Sequence, residues 1–312
     1  MKGKSMWTLS IDIGGTYIKS ALIMDTQIRE KRQIETPKTD KDNFILALVK
    51  LIRSYQQIEP IEFVGFSVPG AVKEASTVFF GGAVACLNEV NLKQEIEKHL
   101  PVRVFVENDA KAAVLGEASF GHLKGIENGA GIILGTGVGV GLLLDGQVRK
   151  GPHCQAGEVS FLIQDREING AESFAGINLS AVRLVKELAK LFQCEPEGPL
   201  VFDYLYQKED EQAQTLYRTY CNQVAILCFN IQCLLDLDKI IIGGGISKQK
   251  RLIRDIQKNY EAIFSVSPMI EQTITKMTIE AAAFESEAYL IGAAKGVRLN
   301  EISNLFFMGS FH

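Results

Sequence analysis

The chain has 312 residues, enough for one large domain or two ordinary ones, and its 46% apolar content is that of a globular protein. A formal net charge of −4 gives no electrostatic reason to expect nucleic-acid or membrane binding. No run approaches the roughly 18 apolar residues needed to span a bilayer, and the basic opening Met1 to Met6 leads into no uninterrupted apolar core, so a secretory signal is not expected.

The cytoplasm is therefore the expected compartment. The six cysteines (86, 154, 194, 221, 228 and 233) form no CxxC pair and are expected to be reduced. Cys221, Cys228 and Cys233 fall on an apolar helical pattern, which predicts packing rather than metal binding.

Trp7 to Ile13 reads as a buried strand, Gly14-Gly15-Thr16 as a tight turn and Tyr17 to Met24 as the returning strand. No helix follows these glycines, so this is not a dinucleotide fingerprint. Ile28 to Glu35 alternates as a third strand, Asp42 to Tyr55 carries a helical apolar stripe, and Ile61 to Val68 returns as a strand closed by Pro69-Gly70. Asn91 to Leu100 is predicted as a short helix capped by Asn91. Val102 to Val106 is a strand leading into Glu107-Asn108-Asp109, and Ala110 to Ser119 is an alanine-rich helix.

The opening pattern then recurs. Gly129 to Leu134 is a strand, Gly135 to Gly139 a glycine turn, Val140 to Leu144 a strand, and Gln147 to Lys150 comes after an Asp145-Gly146 turn. Two strand–turn–strand–turn–strand units predict an internal duplication; chance likeness of two hairpins is the alternative. Gly151 to Ile168 is irregular. Helical periods cover Glu172 to Phe192, Leu200 to Tyr206 and Glu209 to Leu235. Asp238 to Ile242 is a strand ending in Gly243-Gly244-Gly245, and Ser247 is read as the N-cap of a helix through Phe264. Met277 to Ala282 is the last strand and Glu285 to Leu299 the last helix, and the apolar tail from Phe306 to His312 can dock on the body or on a second subunit.

Asp109 lies where a strand ends and a helix begins, the place where open α/β folds bind ligands. Asn108 or Asp109 can equally be a helix cap. The two glycine turns favour the chemical reading. Gly14, Gly15, Gly135 and Gly137 allow backbone N–H groups to approach phosphate, while Thr16, Thr136 and Lys19 add donors. Asp12 would repel phosphate, so its expected role is to hold a hydrated Mg²⁺, with a turn residue as the plainer alternative. Gly243, Gly244 and Gly245 can approach the base or ribose of ATP. Phosphoryl transfer relies on positioning and charge neutralisation, and a base on the acceptor hydroxyl adds a typical ~10²–10⁴-fold. Asp109 is the candidate base. Asn108, Glu158 and Glu172 are polar groups of the kind that orient sugar hydroxyls; on spacing alone the two glutamates also fit solvated surface positions.

Asp12-Ile13-Gly14-Gly15-Thr16, Pro69-Gly70, Glu107-Asn108-Asp109, Gly135-Thr136-Gly137-Val138-Gly139, Ala156-Gly157-Glu158 and Ile242-Gly243-Gly244-Gly245 occur in the order seen in ROK-family sugar kinases and repressors, and Ser286 to Ala294 is similar to that family's final helix. The resemblance covers nearly the whole chain. It implies a duplicated α/β fold, actin-like or hexokinase-like (ribonuclease H-like), with two domains, 1–109 and 110–312, closing over ATP and a sugar. The last helix, about 285–299, can pack back on the first domain. The resemblance also implies Asp109 as the base, a sugar site of Gly70, Asn108, Asp109, Glu158 and Glu172, and a homodimer. Glu172 rests on a looser match, Glu172-Ser173-Phe174-Ala175.

One departure is large. Such proteins carry His three residues after the Glu of Ala-Gly-Glu and then a cysteine-rich run, which together bind zinc. Here the His position is Phe161, and Leu162 to Ala171 contains no cysteine, so no zinc site is expected. His153 and Cys154 alone do not make one. The loss resembles a zinc-less branch of β-glucoside kinases and some N-acetylmannosamine kinases. Phe80-Gly81-Gly82-Ala83-Val84 with Asn91-Leu92-Lys93 is closer to the β-glucoside kinases. The expected reaction is ATP-dependent phosphorylation of the 6-hydroxyl of a hexose or β-glucoside, with N-acetylmannosamine kinase or glucokinase as alternatives. A sugar-sensing regulator is the alternative of another class; only eleven residues precede Asp12, too few for a DNA-binding helix-turn-helix.

Overall fold

In the computed structural model, residues 7–73, 76–82 and 84–309 are described, with side chains to 299. Met1 to Met6 and Ser310 to His312, which include the basic opening and the end of the apolar tail, lie outside the described residues, as does Ala83 of the Phe80–Val84 stretch.

Alternation of apolar residues sets the first sheet. β1 (Thr8–Ile13) pairs antiparallel with β2 (Tyr17–Met24), which pairs with β3 (Gln27–Glu35). β1 also pairs in parallel with β4 (Phe63–Val68), reached through α1 (Lys41–Gln56). Asp40 caps α1 by accepting from the Asn43 N–H, and the buried face of α1 includes Phe44, Leu48 and Ile52, the predicted stripe. The chain then forms a small antiparallel sheet of β5 (Ala71–Lys73), β6 (Thr77–Phe79) and β7 (Val90–Asn91), which hydropathy did not reveal because its strands are two or three residues long. α2 (Leu92–Glu97) comes next with Asn91 as cap, then β8 (Arg103–Asn108), parallel to β4, and α3 (Asp109–Phe120).

Leu9, Ile11, Val64 and Phe66 share a core with residues of α1 and α2. The alternate residue Ser10 donates its hydroxyl to the Leu290 carbonyl of the C-terminal helix (Ala288–Gly309) at 2.7 Å. That helix lies backbone to backbone on α3 and the sheet. A Cβ on Gly292 would lie 1.6 Å from the Ala112 oxygen, and one on Gly65 2.5 Å from the Ala293 oxygen. These contacts place the helix in the first of two compact units, Met1–Lys124, Val148–Ala156 and Glu287–His312. The first unit thus extends past the boundary expected at 109, because α3 packs on the C-terminal helix of the same unit.

The second unit comprises Gly125–Gln147 and Gly157–Ser286. Its sheet contains β9 (Gly129–Leu134), β10 (Val138–Leu144), β11 (Gln147–Val148), β12 (Lys239–Gly243) and β13 (Thr278–Ala281). The spatial order β11-β10-β9-β12-β13 repeats the order β3-β2-β1-β4-β8 of the first sheet, and the central strand again pairs antiparallel on one side and parallel on the other. The repeat seen in sequence is therefore a repeat of topology. Its helices are α4 (Ala175–Asn178), α5 (Ala181–Phe192), α6 (Gly198–Gln207), α7 (Glu211–Leu235), α8 (Lys250–Phe264) and α9 (Pro268–Thr273).

Local chemistry changes three expectations. The helical period over Glu172 to Phe192 is interrupted, because Ser180 caps α5 by accepting from the Arg183 N–H. Ser247 does not cap α8; its hydroxyl donates to the Gly244 carbonyl inside a short 3-10 turn, and Gln249 holds the cap position. Cys221 and Cys228 pack in the core as expected, whereas Cys233 is exposed. A spacing of seven returns to the same helix face, and the next five residues turn away from it. Among the described residues no helix is long and apolar enough to cross a membrane.

Candidate active site

The first unit builds a carboxylate pair. β8 ends at Asn108, whose extended backbone starts α3 and whose Oδ1 accepts from the Lys111 N–H at 3.2 Å. Asn108, not Asp109, is the cap. Its amide nitrogen donates to the Gly70 carbonyl at 3.0 Å and to Oδ1 of Asp109 at 2.9 Å. The same Oδ1 accepts from the Ala110 N–H at 2.7 Å. Asp109 therefore opens a helix, where the macrodipole favours negative charge, with its carboxylate plane set by two donors. Below it, buried Glu107 accepts from the Asn108 N–H and pairs with Lys150 at 2.6 Å.

Asp12, one residue before the end of β1, lies directly across from Lys19 of β2, and its Oδ1 accepts from the Ser67 hydroxyl at 2.9 Å. Burial pushes the Asp12 carboxyl up to about 6; the Ser67 hydrogen bond opposes the rise, Asp109 adds to it by repulsion, and Lys19 reduces it. The Tyr289 phenol, raised chiefly by burial, also feels Asp109 and then Asp12. The adjoining turn is tied on both sides. Gly14 N–H donates to the Tyr17 carbonyl, Thr36 Oγ1 donates to the Gly14 carbonyl at 2.6 Å, and the Thr36 N–H donates to the Thr16 carbonyl. A Cβ on Gly14 would lie 2.9 Å from the Tyr17 oxygen. Thr16 and Lys19 are exposed.

These residues fit a Mg²⁺ ion. Asp12 is a hard oxygen donor whose ionisation is opposed by burial and by Asp109, and a divalent cation would offset both. Among the described residues no group of three or more His, Cys, Asp or Glu side chains could hold a metal by protein ligands alone. A cation there would take its remaining ligands from phosphate and water, as Mg²⁺ commonly does.

The second unit builds a glycine-rich rim around a cavity. Gly135 N–H donates to the Gly137 carbonyl at 3.0 Å, the Gly135 carbonyl accepts from the Val182 N–H at the start of α5, and Thr136 is exposed. Gly244 is left-handed at φ +91°, and a Cβ there would lie 2.1 Å from the Leu134 oxygen, so this position requires glycine. Between α5, α6 and the Gly245–Lys248 turn lies a cavity of about 390 Å³, lined by Leu134, Val185, Pro199, Phe202, Ile246 and Gln249 among others. Gly135 and Gly245 are on its wall, with Lys186 and Lys248. Gly243 packs close to the Ile133 side chain.

The other expected sugar residues also lie in this unit. Gly157 sits at φ +88°, and its carbonyl accepts from the Val140 N–H, which fixes Glu158 beside β10 as a half-buried carboxylate. Glu172 is exposed and accepts from Arg183 at 2.5 Å, and Arg183 also pairs with Glu187. Phe161, in the position of the absent His, is 72% exposed. Sequence reading missed Ser67, Thr36 and Tyr289. Ser67 had a signal, being the small polar residue in an otherwise apolar strand two positions before Pro69-Gly70; Thr36 and Tyr289 had none, because they reach the site only through pairing and packing.

A match to the ROK family model spans residues 8–298. An N-acetylmannosamine kinase of Haemophilus influenzae is 28% identical over 309 residues, covering 94% of this chain and 96% of its own. A β-glucoside kinase of Listeria innocua is 27% identical over 291 residues, covering 91% and 95%. The crystal structure of a ROK family glucokinase from Streptomyces griseus, in complex with glucose and AMPPNP, superposes with a TM-score of 0.80 at 23% identity over 94% of this chain and 99% of that one. The hexokinase-like, actin-like fold implied by the family resemblance is thus the fold found. With its family model matched almost end to end, this chain belongs to the ROK family.

Proposed function

We propose that the protein is an ATP-dependent carbohydrate kinase that phosphorylates the 6-hydroxyl of a hexose or of the glucosyl unit of a β-glucoside. The observation that carries this reading is the Asn108–Asp109 junction, a carboxylate held at a helix start by two donors and tied through Asn108 to the Gly70 carbonyl. Asp109 takes the proton of the acceptor hydroxyl. The acceptor oxygen then bonds to the γ-phosphorus as the bond to the β-phosphate oxygen breaks, leaving a sugar phosphate and ADP. Gly70, Asn108, Glu158 and Glu172 bind the sugar hydroxyls.

Backbone N–H groups of the Gly14–Thr16 and Gly135–Gly137 turns, with Thr16, Thr136 and Lys19, receive the phosphates, and the cavity beside Gly243, Gly244 and Gly245 takes the nucleoside. Asp12 would hold the Mg²⁺ that neutralises phosphate charge. The names of the Haemophilus influenzae and Listeria innocua relatives support a sugar acceptor, and the Streptomyces griseus protein binds glucose with a nucleotide analogue.

A coupled ADP-release assay with ATP and Mg²⁺ over glucose, N-acetylmannosamine, N-acetylglucosamine, fructose, cellobiose and gentiobiose tests the proposal. Turnover on one of these names the acceptor. Absence of turnover on all of them, with sugar binding retained in a thermal-shift assay, points instead to a sugar sensor.

A further inference from the structure

Phe80 follows β6 in a conformation that bulky side chains avoid. Its φ is +55°, in the left-handed region, yet the residue is 72% exposed. Two contacts hold the backbone there. The Phe80 N–H donates to Oδ1 of Asn88 at 2.9 Å, and the Phe80 carbonyl lies against Gly70, where a Cβ would come within 2.4 Å of it. Gly70 is itself left-handed, at φ +83°, and its carbonyl accepts from Asn108. A contact path of Phe80, Gly70 and Asn108 therefore ends at Asp109. The preceding Phe79 ring is covered by the Lys73 ammonium. Among the described residues no ring or cation stacks on Phe80.

Packing does not account for an exposed aromatic side chain held in an unfavourable backbone conformation. Such strain persists where surrounding structure enforces it, and it is common at ligand-binding positions. On the reading of Asn108 and Asp109 as the acceptor site, Phe80 stands at its rim. We propose that Phe80 is the platform of an additional subsite, which stacks the second ring of a β-linked glucoside, a pyranose or an aryl aglycone, while the first ring presents its hydroxyl to Asp109. A β-pyranose carries axial C–H groups on its flat faces, and these meet the negative face of an aromatic ring; an aryl aglycone stacks on the same surface. The subsite requires that a monosaccharide held at Asn108 and Asp109 leave the Phe80 ring uncovered.

The test compares wild type, Phe80→Asn and Phe80→Trp. Asparagine tolerates the left-handed region and removes the ring; tryptophan keeps an aromatic face. The readouts are kcat/KM for cellobiose and phenyl β-glucoside relative to glucose, and calorimetric Kd for the same sugars. Phe80→Asn is expected to lower the extended-to-simple kcat/KM ratio about five- to tenfold, through KM, and Phe80→Trp to restore it.

An unchanged ratio in Phe80→Asn, or an equal loss on glucose, overturns the subsite while wild-type turnover upholds the kinase. If wild type turns over no sugar, the kinase reading fails by itself. The calorimetric comparison then decides the subsite: weaker phenyl β-glucoside binding in Phe80→Asn supports it, and equal or undetectable binding in both proteins overturns it.

Discussion

The side-chain amide of Asn108 donates to Oδ1 of Asp109 across 2.9 Å while its own Oδ1 caps the helix that Asp109 begins. One residue thereby serves as the cap and orients its neighbour's carboxylate. Asp109→Asn keeps shape and removes the base. It is expected to leave the sugar Kd within a few-fold and to lower kcat by about 10²–10⁴-fold. Calorimetric sugar binding and the ADP-release assay check both halves, and near-normal kcat would remove Asp109 from the role of base.

Asp12 gives a pH signature. Its carboxyl is raised from an ordinary 3.8 to about 6, so between those values the folded chain binds more protons than the unfolded chain. The contribution to stability is fully present below pH 3.8 and is lost as the pH rises through about 6. Ionised Asp12 therefore costs about 1–3 kcal/mol at pH 7.5, the lower figure allowing for its partial exposure. Asp12→Asn is expected to raise the metal-free Tm by a few degrees at pH 7.5, with no gain at pH 4, in scanning calorimetry. The same variant should weaken Mg·ATP binding, and in wild type KM for Mg·ATP should rise as the pH falls below about 6. A variant Tm equal to wild type at pH 7.5 would show that burial does not strain this carboxylate.

Much of this was legible in the sequence for a physical reason. The glycine turns, the Asn108–Asp109 step and the repeated strand pattern are local features, and each leaves a spacing or a residue type that reads directly. The partners of the carboxylates are not local. Ser67 meets Asp12 because β4 pairs with β1, and Tyr289 feels Asp12 and Asp109 because the C-terminal helix lies beside α3. Ser247 misled for a related reason: a serine after three glycines has the look of a cap, but its hydroxyl is taken by the Gly244 carbonyl.

Gly292 and Ala112 test the packing that places Tyr289. A methyl group on Gly292 would lie 1.6 Å from the Ala112 oxygen, a backbone atom that cannot rotate away. Gly292→Ala must push the C-terminal helix off α3, at a cost of about 3 kcal/mol or more. The expected result is a Tm lower by roughly 5–10 °C and a loss of activity larger than the stability change explains, because Tyr289 on the displaced helix feels Asp109 and Asp12. If the variant does not fold, Gly116→Ala offers a milder step, since the clash there is 2.8 Å from the Ala288 oxygen. Wild-type Tm in both variants would contradict the backbone contact.

The expected absence of zinc is checked by elemental analysis. Phe161 is exposed where a His ligand would stand, and Leu162 to Ala171 supplies no cysteine. Purified protein should hold well under one zinc per chain, and EDTA should leave its Tm unchanged. One zinc per chain with an EDTA-sensitive Tm would reveal a ligand set built from other residues.

Glu172 divides two roles that the sequence left open. Its carboxylate accepts from Arg183 at 2.5 Å, yet its side chain is 67% exposed. An exposed ion pair contributes roughly 0–1 kcal/mol, so a surface role alone predicts that Glu172→Gln leaves both Tm and kinetics nearly unchanged. As a sugar ligand, Glu172 accepts from hydroxyls and Arg183 holds it for that purpose. Glu172→Gln should then raise KM for sugar about tenfold with Tm unchanged, since a hydrogen bond to a charged group is worth about 1.5–3 kcal/mol. Arg183→Met should raise the same KM by a smaller factor, because the carboxylate stays but loses its anchor. Sugar kinetics indistinguishable from wild type in both variants would return Glu172 to the surface and leave Gly70, Asn108, Asp109 and Glu158 as the sugar site.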